Sequence, residues 1–403
     1  MTCRFCGNAL THEFVDLGSS PPSNSYLTLA QLNGSEPFYP LKVMVCDRCF
    51  LVQIDEHKKS DEIFDANYAY FSSVSSSWVE HARQYVDMVT ETQGLSEESF
   101  VIEIASNDGY LLQFFKAKEI PCLGIEPTKS TADVARSKGI NVLEEFFGEK
   151  LAFTLPKADL ILGNNVLAHV PDINDFIKGL KIALKPQGII TMEFPHLLNL
   201  IEQNQFDTIY HEHYSYLSLI STMQIFKAHG LQIYDAQELS THGGSLRIYA
   251  ASIESSYPPT ERLNAIIHKE SVAQLHTLDG YRKFQMKADK VKDDFLAFLS
   301  NARLNNKKVV GYGAAAKGNT LLNYCKVTSD MIEFVVDKAP LKVNKFLPGS
   351  HIPIVTEDNI KTLKPDFVII FPWNIKDEII EQLAYIREWN GKFVIAIPKM
   401  EIF

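Results

Sequence analysis

Apolar runs of strand length alternate with helix-like segments through the middle of the chain. The first apolar run, at 100–105, is followed by a small polar turn at 106–109 and a helical pattern at 110–115. Further helical patterns cover 78–92 and 173–184. The other strand patterns lie at 122–125, 140–143, 158–163 and 189–193. This alternation predicts an α/β fold with a doubly wound parallel sheet, which binds ligands at the carboxyl ends of its strands.

The carboxyl-terminal third repeats this order after a helix-prone connector at 260–301. A strand pattern enters the glycine-rich turn GYGAAAKGNT at 311–320, and a helix-like stretch follows. A later strand ends in Asp337, so the dinucleotide site of a nicotinamide-dependent dehydrogenase is one alternative. The spacing GxGxxxKG, in place of GxGxxG, and Lys317 inside the turn favour phosphate instead. Further strand patterns, which complete a second, Rossmann-like sheet, lie at 331–337, 367–371 and 393–397.

Composition narrows the classes of function. The chain has 403 residues and a formal net charge of −10, and this length suits about two to three domains. Such an acidic balance argues against a nucleic-acid polymer as partner, because proteins that bind one present a basic face. No apolar run approaches the roughly 20 residues of a membrane span, and the start lacks a signal-peptide pattern. We therefore expect a cytoplasmic protein.

Four of the six cysteines form two CxxC pairs, and these are Cys3, Cys6, Cys46 and Cys49. Two thiolates two residues apart grip one face of a tetrahedral ion, and a second pair closes it, so the pattern predicts a structural zinc site. Disulfides are an alternative that a reducing compartment disfavours. A redox CxxC is a weaker one, because a Pro/Ser/Asn-rich insert lies between the pairs and not a βαβ unit. Small strands are expected in the stretch between the two pairs, and one of them fits 41–45.

The turn after the first strand of the middle sheet is the predicted cofactor site. Small residues there let a cofactor approach backbone N–H groups, and Glu126, at the end of the second strand, can accept both hydroxyls of a ribose. Together these features indicate an adenosine-containing cofactor. His169 follows the fourth strand on the same rim, with a purely structural histidine as the alternative. The predicted cofactor-binding residues are Glu103, Ala105, Asn107, Asp108, Gly109, Glu126, Asn164 and Asn165.

The segment 210–216 reads YHEHYSY and carries a carboxylate, imidazoles and phenols with no apolar periodicity. Titratable groups so close together shift one another's pKa values, as proton-transfer chemistry requires. A polar surface loop is the alternative for this segment alone. Further on, Gly243, Gly244 and Arg247 are candidates for phosphate binding, and a tight turn into a strand at 246–250 is the alternative.

The chain resembles the zinc-containing, S-adenosylmethionine-dependent sugar C-methyltransferases over nearly its whole length. The matching features are the four-cysteine module, YxYFSS at 68–73, VIEIASNDGYLL, NNVLAHV, EFPH, YHEHYSY, THGGSLR at 241–247 and GYGAAAKGNT. In that family the cofactor loop more often reads ExGxNDG, and here Ala105 takes the first glycine position. The resemblance implies S-adenosylmethionine and one structural zinc. It also implies a substrate that is a 4-keto deoxysugar linked to dTDP, GDP or CDP and methylated at carbon 3.

The resemblance further implies roles for the YHEHYSY segment. A ketone beside the methylated carbon lets a base form an enolate, and His213 is the implied base, oriented by Glu212. Glu212 as the base is the alternative, and His211 is expected to be structural. The implied donors to the enolate oxygen are Tyr210, His169 and either Tyr68 or Tyr70.

Substrate binding and domain limits follow from the same resemblance. The implied substrate-binding residues are Arg247, Gly243, Gly244, Lys317 and His196. The implied domains are a zinc module at 1–65, a methyltransferase domain at 66–255, and a connector with a Rossmann-like, nucleotide-sugar-binding domain at 256–403. Methylation of a sugar oxygen or nitrogen, with His213 deprotonating a hydroxyl, is a further alternative. An inactive nucleotide-sugar-binding scaffold fits poorly with an intact YHEH sequence.

Overall fold

The computed structural model describes residues 1–57 and 71–403, which form two compact units made of discontinuous segments. Unit 1 comprises Met1–Leu10, Cys46–His196 and Tyr214–Thr277. Unit 2 comprises Thr11–Val45, Leu197–His213 and Leu278–Phe403. Tyr68 and Tyr70 lie outside the described residues, so the choice between them stays a prediction.

The regular elements are numbered here in chain order over the described residues. The strands are β1 His12–Ser20, β2 Tyr39–Val45, β3 Val52–Ile54, β4 Val101–Ile104, β5 Cys122–Ile125, β6 Val142–Leu143, β7 Ala158–Asn164, β8 Leu184–Pro195, β9 Ser215–Tyr216, β10 Leu231–Leu239, β11 Ser245–Ser252, β12 Val309–Tyr312, β13 Val335–Val336, β14 Ile354–Val355, β15 Phe367–Ile370, β16 Lys392–Ile395 and β17 Glu401–Ile402. The helices are α1 Ser76–Gln93, α2 Leu112–Ala117, α3 Lys129–Ser137, α4 Glu149–Ala152, α5 Ile173–Ala183, α6 Leu197–Glu202, α7 Leu219–Ala228, α8 Glu261–Val272, α9 Phe284–Leu304, α10 Ala316–Tyr324, α11 Asp358–Leu363 and α12 Lys376–Gln382. Among these described helices, none combines the length and apolar character that crossing a bilayer requires.

Unit 1 is built on a seven-stranded sheet of order β10-β11-β8-β7-β4-β5-β6. The strands from β4 to β8 run parallel, whereas β11 is antiparallel to both β8 and β10. All four residues of β4 are buried, as expected of a parallel strand covered on both faces. The predicted doubly wound sheet is confirmed, and the residues that follow β4, β5, β7 and β8 share its carboxyl edge.

Helix α1 covers part of that sheet, in agreement with the helical pattern at 78–92. Ser75 caps the first turn by accepting a hydrogen bond from the Trp78 N–H, and Gly94 ends the helix in the left-handed conformation. Its buried Tyr85 and Val89 share a hydrophobic core with Leu160 of β7. The helix therefore fixes its own polar residues, His81 among them, at a set position over the sheet.

Several predicted elements are confirmed in type but differ in their bounds. Helix α5 ends at Ala183 and β8 begins at once, because Lys185 precedes Pro186 and a residue before proline avoids the helical conformation. The connector at 260–301 is two helices, α8 and α9, and Gln274, between them, has a left-handed φ of 60°. The strands expected at 140–143 and 331–337 shrink to the two-residue β6 and β13.

Unit 2 contains a six-stranded sheet of order β14-β13-β12-β15-β16-β17, parallel except for β17. The second predicted α/β sheet is therefore present. Strands β1 and β2 form an antiparallel pair in the same unit. There Phe14 of β1 stacks on Phe284 of α9 with 4.5 Å between ring centroids, which joins the hairpin to the long helix. Strand β2 contains the strand predicted at 41–45, whereas the position of β1 was not predicted.

Candidate active site and metal centre

The four cysteines of the two CxxC pairs come together in unit 1, with all four Sγ atoms within 4.8 Å of one another. The Cys3 and Cys49 sulfurs are 3.5 Å apart and those of Cys6 and Cys46 are 3.6 Å apart. These separations exceed the roughly 2.05 Å of a disulfide, and they suit thiolates arranged around one tetrahedral ion. The donor set therefore fits a closed zinc site, and its complete coordination leaves no position for a substrate.

The turn after β4 brings the predicted cofactor residues to the sheet edge. Ala105, Asn107 and Gly109 all have left-handed φ angles, of 56°, 49° and 74°. A Cβ on Gly109 would lie 2.4 Å from Ile140 Cδ1, so only glycine fits there. At Ala105 the methyl group is accommodated, but the backbone conformation is one that glycine adopts at lower cost. The departure from the family's glycine is thus tolerated at some cost in backbone strain.

Glu126 stabilises this turn from the end of β5. Its Oε2 accepts the Asn107 N–H and its Oε1 accepts the Thr128 N–H, both at 2.9 Å. Burial raises the pKa of Glu126, although these backbone hydrogen bonds oppose the shift. Each oxygen retains a further lone pair for a ribose hydroxyl, so the carboxylate is oriented by the turn and still able to accept hydrogen bonds.

Glu103 lies under the same turn and is the main unsatisfied group of the region. Within the described residues, neither of its carboxyl oxygens has a hydrogen-bond partner, and the side chain is buried. Burial and the nearby carboxylates of Glu126 and Asp108 raise the pKa of Glu103 well above its usual range. A buried carboxyl without partners is costly unless a ligand or water supplies them, which fits a cofactor-binding edge.

Asn107 and Asp108 also hold the two serines at 72 and 73. The Asn107 Oδ1 accepts the Ser72 N–H at 2.8 Å, and the Asp108 Oδ2 accepts a short hydrogen bond from the Ser73 hydroxyl. Lys138 lies 3.6 Å from the same Oδ2. The SS of the YxYFSS sequence is therefore tied to the predicted cofactor turn.

The segment after β7 carries the remaining predicted groups of unit 1. The Asn164 amide donates to the Tyr110 hydroxyl at 3.2 Å, and the Asn165 N–H donates to the Glu193 carbonyl at 2.7 Å. The Asn165 Oδ1 is buried and has no partner among the described residues. His169 closes a short helical turn at 167–169, half-buried, just before Asp172 caps α5. All three side chains therefore lie at the carboxyl edge of the sheet.

A buried charge network occupies the end of β8. Glu193 Oε2 lies 2.9 Å from His81 Nε2 and 2.7 Å from Arg247 Nη2, and its Oε1 accepts the Thr241 hydroxyl at 2.9 Å. Burial alone would raise the pKa of Glu193, but the His81 hydrogen bond and the Arg247 charge outweigh it and bring the pKa to about 2. Arg247 also lies over the Tyr85 ring, 4.5 Å from its centroid. Its guanidinium is thus engaged inside the unit, which argues against the expected phosphate contact.

The other expected substrate residues of unit 1 are likewise engaged in the fold. His196 is buried, with its Nε2 2.7 Å from the Glu270 carboxylate, which also accepts the first N–H groups of α7. Gly243 and Gly244 have φ angles of 91° and 115° and turn the chain into β11. Their geometry is that of the tight-turn alternative, and His196 is not presented to a ligand.

In unit 2, the YHEH residues lie directly after a short helical turn at 206–208. The Nδ1 of His213 lies 3.0 Å from the Thr208 carbonyl oxygen. Because a carbonyl only accepts, Nδ1 must carry the hydrogen, and in the neutral imidazole the lone pair is then on Nε2. The centroids of the Tyr210 and His213 rings are 4.1 Å apart. His213 is only 8% exposed, so the segment is not a surface loop.

Glu212 and His211 diverge within this segment. The Glu212 Oε1 accepts a hydrogen bond from the Asn24 amide at 3.2 Å. His211 Nε2 donates to the Pro40 carbonyl at 3.2 Å, and its ring packs against Tyr39. His211 therefore joins the segment to the β2 strand, in keeping with the structural role expected for it.

Lys317 lies in the first turn of α10, beside the residues that precede YHEH. Its Nζ is 3.0 Å from the Asn374 side-chain oxygen and 4.4 Å from the centroid of the Trp373 ring. The Trp373 indole N–H donates to the buried Asp207 carboxylate at 2.7 Å. Burial raises the pKa of Asp207 to about 6, although the Lys317 charge and the indole hydrogen bond oppose the shift. Lys317 and Asp207 thus form a partly desolvated pair close to the catalytic candidates of this unit.

The dinucleotide alternative can be judged from the turn before α10. Asp337 accepts the N–H groups of Ala314 and Ala339, each at 2.8 Å, and the Tyr26 hydroxyl donates to the Ala314 carbonyl at 2.6 Å. A Cβ on Gly313 would lie 2.5 Å from Pro372. The turn is therefore filled by the protein's own side chains, which argues against a bound dinucleotide.

Comparison with known proteins decides the family. Three family models match successive parts of the chain: a putative zinc binding domain at 3–64, a methyltransferase domain at 78–236 and a C-methyltransferase C-terminal domain at 240–398. The C-methyltransferase NovU of Streptomyces niveus is 33% identical over 404 residues, which span 99% of this chain and 96% of that protein. This chain belongs to the C-methyltransferase family.

Two solved structures of methyltransferases each cover less than half of this C-methyltransferase. One, an S-adenosylmethionine-dependent methyltransferase from Clostridium acetobutylicum, is 12% identical and has a TM-score of 0.36, covering 43% of this chain and 92% of its own. Another, magnesium protoporphyrin IX methyltransferase from Synechocystis with bound S-adenosylmethionine, is 16% identical and has a TM-score of 0.34, covering 44% and 81%. Both likenesses are weak, and the family assignment rests on NovU and the family models.

The C-methyltransferase therefore uses S-adenosylmethionine, and its four-cysteine module binds zinc, as predicted from the sequence. The residues of unit 1 fit the cofactor, because the left-handed turn at 105–109 shares one sheet edge with oxygens of Glu103 and Asn165 that have no partner among the described residues. Which side chains touch it stays a prediction.

His81 is the polar residue of this C-methyltransferase that the sequence patterns did not single out. It lies on α1, 112 positions before Glu193, and stacks on Trp78 with 5.0 Å between ring centroids. The available signal was Glu193 itself, a charged residue within the mostly apolar run at 189–195, since buried carboxylates are almost always paired.

Proposed function

We propose that this C-methyltransferase methylates the ring carbon beside the ketone of a nucleotide-linked 4-keto deoxysugar, at carbon 3. A carbon atom becomes nucleophilic when a base removes its proton and the electron pair moves to the ketone oxygen, forming an enolate. The buried YHEH segment supplies the chemistry for that step. The observation that carries the proposal is the hydrogen bond between His213 Nδ1 and the Thr208 carbonyl.

That hydrogen bond fixes the tautomer of neutral His213 and so decides which ring nitrogen can act as the base. With its hydrogen on Nδ1, neutral His213 presents the lone pair of Nε2, which takes the proton from the sugar carbon. The carbonyl then also stabilises the imidazolium that forms, because it accepts the Nδ1 hydrogen in either protonation state. Glu212, held by Asn24, adds a negative charge next to the imidazolium in sequence.

The negative charge that develops on the ketone oxygen needs hydrogen-bond donors placed in advance. Tyr210, whose ring lies 4.1 Å from that of His213, is the donor proposed from unit 2. His169, on the loop after β7, and a tyrosine of the YxYFSS sequence are the donors proposed from elsewhere in the chain. Replacing Tyr210 with phenylalanine should lower kcat about 10²-fold if it donates in the transition state.

The nucleotide part of the substrate is assigned to Lys317. Its ammonium stands at the first turn of α10, where the helix dipole favours an anion such as a diphosphate. Burial lowers the pKa of Lys317, with Asp207 opposing the shift, so a phosphate would strengthen its charged form. We expect Lys317→Met to raise KM for the sugar nucleotide and to leave KM for S-adenosylmethionine unchanged.

Glu103, Asn165, Glu126 and the 105–109 turn are the residues proposed to hold S-adenosylmethionine. When bound, the cofactor supplies an electrophilic methyl group carried on a sulfonium. The protein's contribution to transfer is to hold donor and acceptor close, which can lower the barrier greatly without further chemistry.

Exchange of the sugar proton with solvent tests the proposal. The enzyme is incubated with a dTDP-, GDP- or CDP-linked 4-keto deoxysugar in deuterated water, with S-adenosylhomocysteine in place of the methyl donor. Deuterium should enter at the carbon beside the ketone, and His213→Asn should abolish this while Tyr210→Phe only slows it. Wild-type enzyme that methylates without exchanging would contradict the enolate step and favour methylation at oxygen or nitrogen. Exchange by His213→Asn at the wild-type rate would exclude His213 as the base and favour Glu212.

A further inference from the structure

Arg4, inside the first CxxC pair, connects the zinc site to two distant parts of unit 1. Its Nη1 donates to the Pro171 carbonyl at 2.7 Å and its Nη2 donates to the Ile54 carbonyl at 2.6 Å. The two carbonyls are bound by different nitrogens of one planar guanidinium. Arg4 therefore fixes the separation of those two carbonyls, which a single flexible ammonium would not do.

One carbonyl that Arg4 binds lies beside His169 in sequence, and the other belongs to a residue that is hydrogen-bonded to the neighbour of His213. Pro171 comes two residues after His169, in the loop between β7 and α5. The Ile54 N–H donates to the Tyr214 carbonyl at 3.1 Å, and Tyr214 directly follows His213. The Arg4 guanidinium also lies 5.3 Å from the centroid of the Tyr214 ring. One side chain thus holds the chain just after each histidine.

The metal site holds Arg4 itself in place. Cys3 and Cys6 flank it, and Gln53 of β3 contacts both the Cys3 sulfur, at 3.2 Å through Nε2, and the Arg4 N–H, at 2.9 Å through Oε1. The Asn174 amide donates to the carbonyl oxygens of Arg4 and Phe5 at 3.0 and 2.9 Å. Backbone, ligands and side chain are therefore immobilised together, so little conformational freedom is left in the Arg4 stem.

Strand β3 carries this restraint to the strand after YHEH. Gln53 pairs with Ser215 and Val52 pairs with Tyr216 in the antiparallel β3–β9 ladder. Because a shift of one residue would turn every side chain to the opposite face, the ladder also fixes the register of β9. The zinc-bound segment and β9 are therefore linked through the backbone as well as through Arg4.

We propose that Arg4 is a positioning residue for catalysis, which uses the rigid zinc site to set the placement of the His169 loop and of the strand that begins after His213. The inference rests on the proposed function, in that the two histidines are taken as catalytic groups. The zinc ion then has a task beyond stabilising its own module, since it anchors the guanidinium that restrains both segments.

Arg4→Ala tests this, and the structure allows the lost group to be added back. A cavity of about 550 Å³ opens beside Arg4, with Glu56, Asn174 and Lys178 in its lining. We expect Arg4→Ala to lower kcat about 10- to 100-fold, since misplacement of catalytic groups by about 1 Å can cost that much. Bound zinc, the Kd for S-adenosylhomocysteine and KM for S-adenosylmethionine should stay at wild-type values. Guanidinium in the assay should restore part of kcat, and urea at the same concentration should not.

Arg48→Ala is the matched control, because Arg48 is an exposed arginine within the second CxxC pair. It should show wild-type kcat and no response to guanidinium. Loss of zinc in Arg4→Ala, a Tm lowered with kcat per folded molecule unchanged, or equal rescue of Arg4→Ala and Arg48→Ala would each overturn the proposal.

Amide hydrogen exchange separates this inference from the proposed function. In Arg4→Ala, protection should fall in peptides that cover 165–174 and 52–57 and stay unchanged in those that cover 101–126. If wild-type enzyme does not act on any 4-keto deoxysugar nucleotide, the proposed function fails while this pattern still supports the restraint. Unchanged protection at 165–174 overturns the positioning role even when turnover is found.

Discussion

The buried Asp207 makes the stability of unit 2 depend on pH in a calculable way. Burial raises the pKa of its carboxyl from 3.8 to about 6 in the folded chain. The folded state therefore binds the proton more tightly than the unfolded state. The stabilisation by this proton is complete below the unfolded pKa and is lost as the pH rises through the folded one. The difference between the folded and unfolded pKa values corresponds to about 3 kcal/mol of folding free energy.

Asp207→Asn removes the titrating carboxyl and should therefore reveal how much its proton contributes to stability. The amide oxygen can still accept the Trp373 N–H. The amide NH₂ group, however, is buried without an acceptor, which lowers the stability of the folded state by about 1–2 kcal/mol. The variant should thus be less stable than wild type near pH 4 by that amount and more stable near pH 8 by about 1–2 kcal/mol. The change of sign follows from the roughly 3 kcal/mol of titration that only wild type carries.

Denaturant unfolding monitored at both ends of this pH range measures the difference directly. Lys317→Met is the companion variant. Removal of the Lys317 charge should raise the pKa of Asp207 further, so the free energy of unfolding of this variant should change more with pH than that of wild type. If wild type and Asp207→Asn lose stability in parallel between acid and neutral pH, the carboxyl does not titrate as described and the reasoning fails.

Three further predictions concern unit 1. Ala105→Gly should raise the free energy of unfolding by up to about 1 kcal/mol in thermal melts, because the gain from relieving a left-handed alanine exceeds the entropy lost to glycine; a lower Tm would contradict this. Glu193→Gln should cost about 3–5 kcal/mol in denaturant unfolding, because Arg247 is left as a buried unpaired charge, whereas Glu80→Gln on the exposed face of α1 should leave the free energy of unfolding nearly unchanged. Cys46→Ser should abolish stoichiometric zinc in metal analysis and lower the Tm; full zinc occupancy in that variant would exclude Cys46 as a ligand.

The sequence was sufficient for features set by local pattern. The alternation of strands and helices located β4, β5 and β7, because parallel strands covered on both faces are read from short apolar runs. The CxxC pairs located the metal site, because four thiolates within reach of one ion have few other uses. Because Glu126 follows the end of β5, the sequence also predicted that it lies at the cofactor turn, where it accepts the Asn107 N–H.

Pairing between distant residues was not available from the sequence. Arg247 looked like a phosphate ligand because Glu193, its partner, lies 54 positions away, and His196 looked accessible because Glu270 lies 74 positions away. The local sequence of a charged residue beside glycines is the same whether that residue binds a ligand or a carboxylate of the same chain. Strand β1 was not located for a related reason, since its pairing with β2 compensates for a sequence with little alternation.

Two glycines on either side of the turn before α10, Gly311 in β12 and Gly318 in α10, bear on how mutational data from this chain should be interpreted. A Cβ at Gly311 would lie 2.5 Å from Phe371 Cε2, and one at Gly318 would lie 2.9 Å from Phe371 Cγ. A saturation scan would find both positions intolerant of every side chain, as it would for glycines that let a cofactor approach. Here the intolerance would report a phenylalanine ring packed on the backbone. Double substitution separates the cases. A smaller residue at 371 should rescue alanine at 318, and alanine at 311 should need a smaller residue at 335 as well, because its Cβ would lie 2.8 Å from Val335 Cγ2. No such change rescues a glycine that a ligand requires.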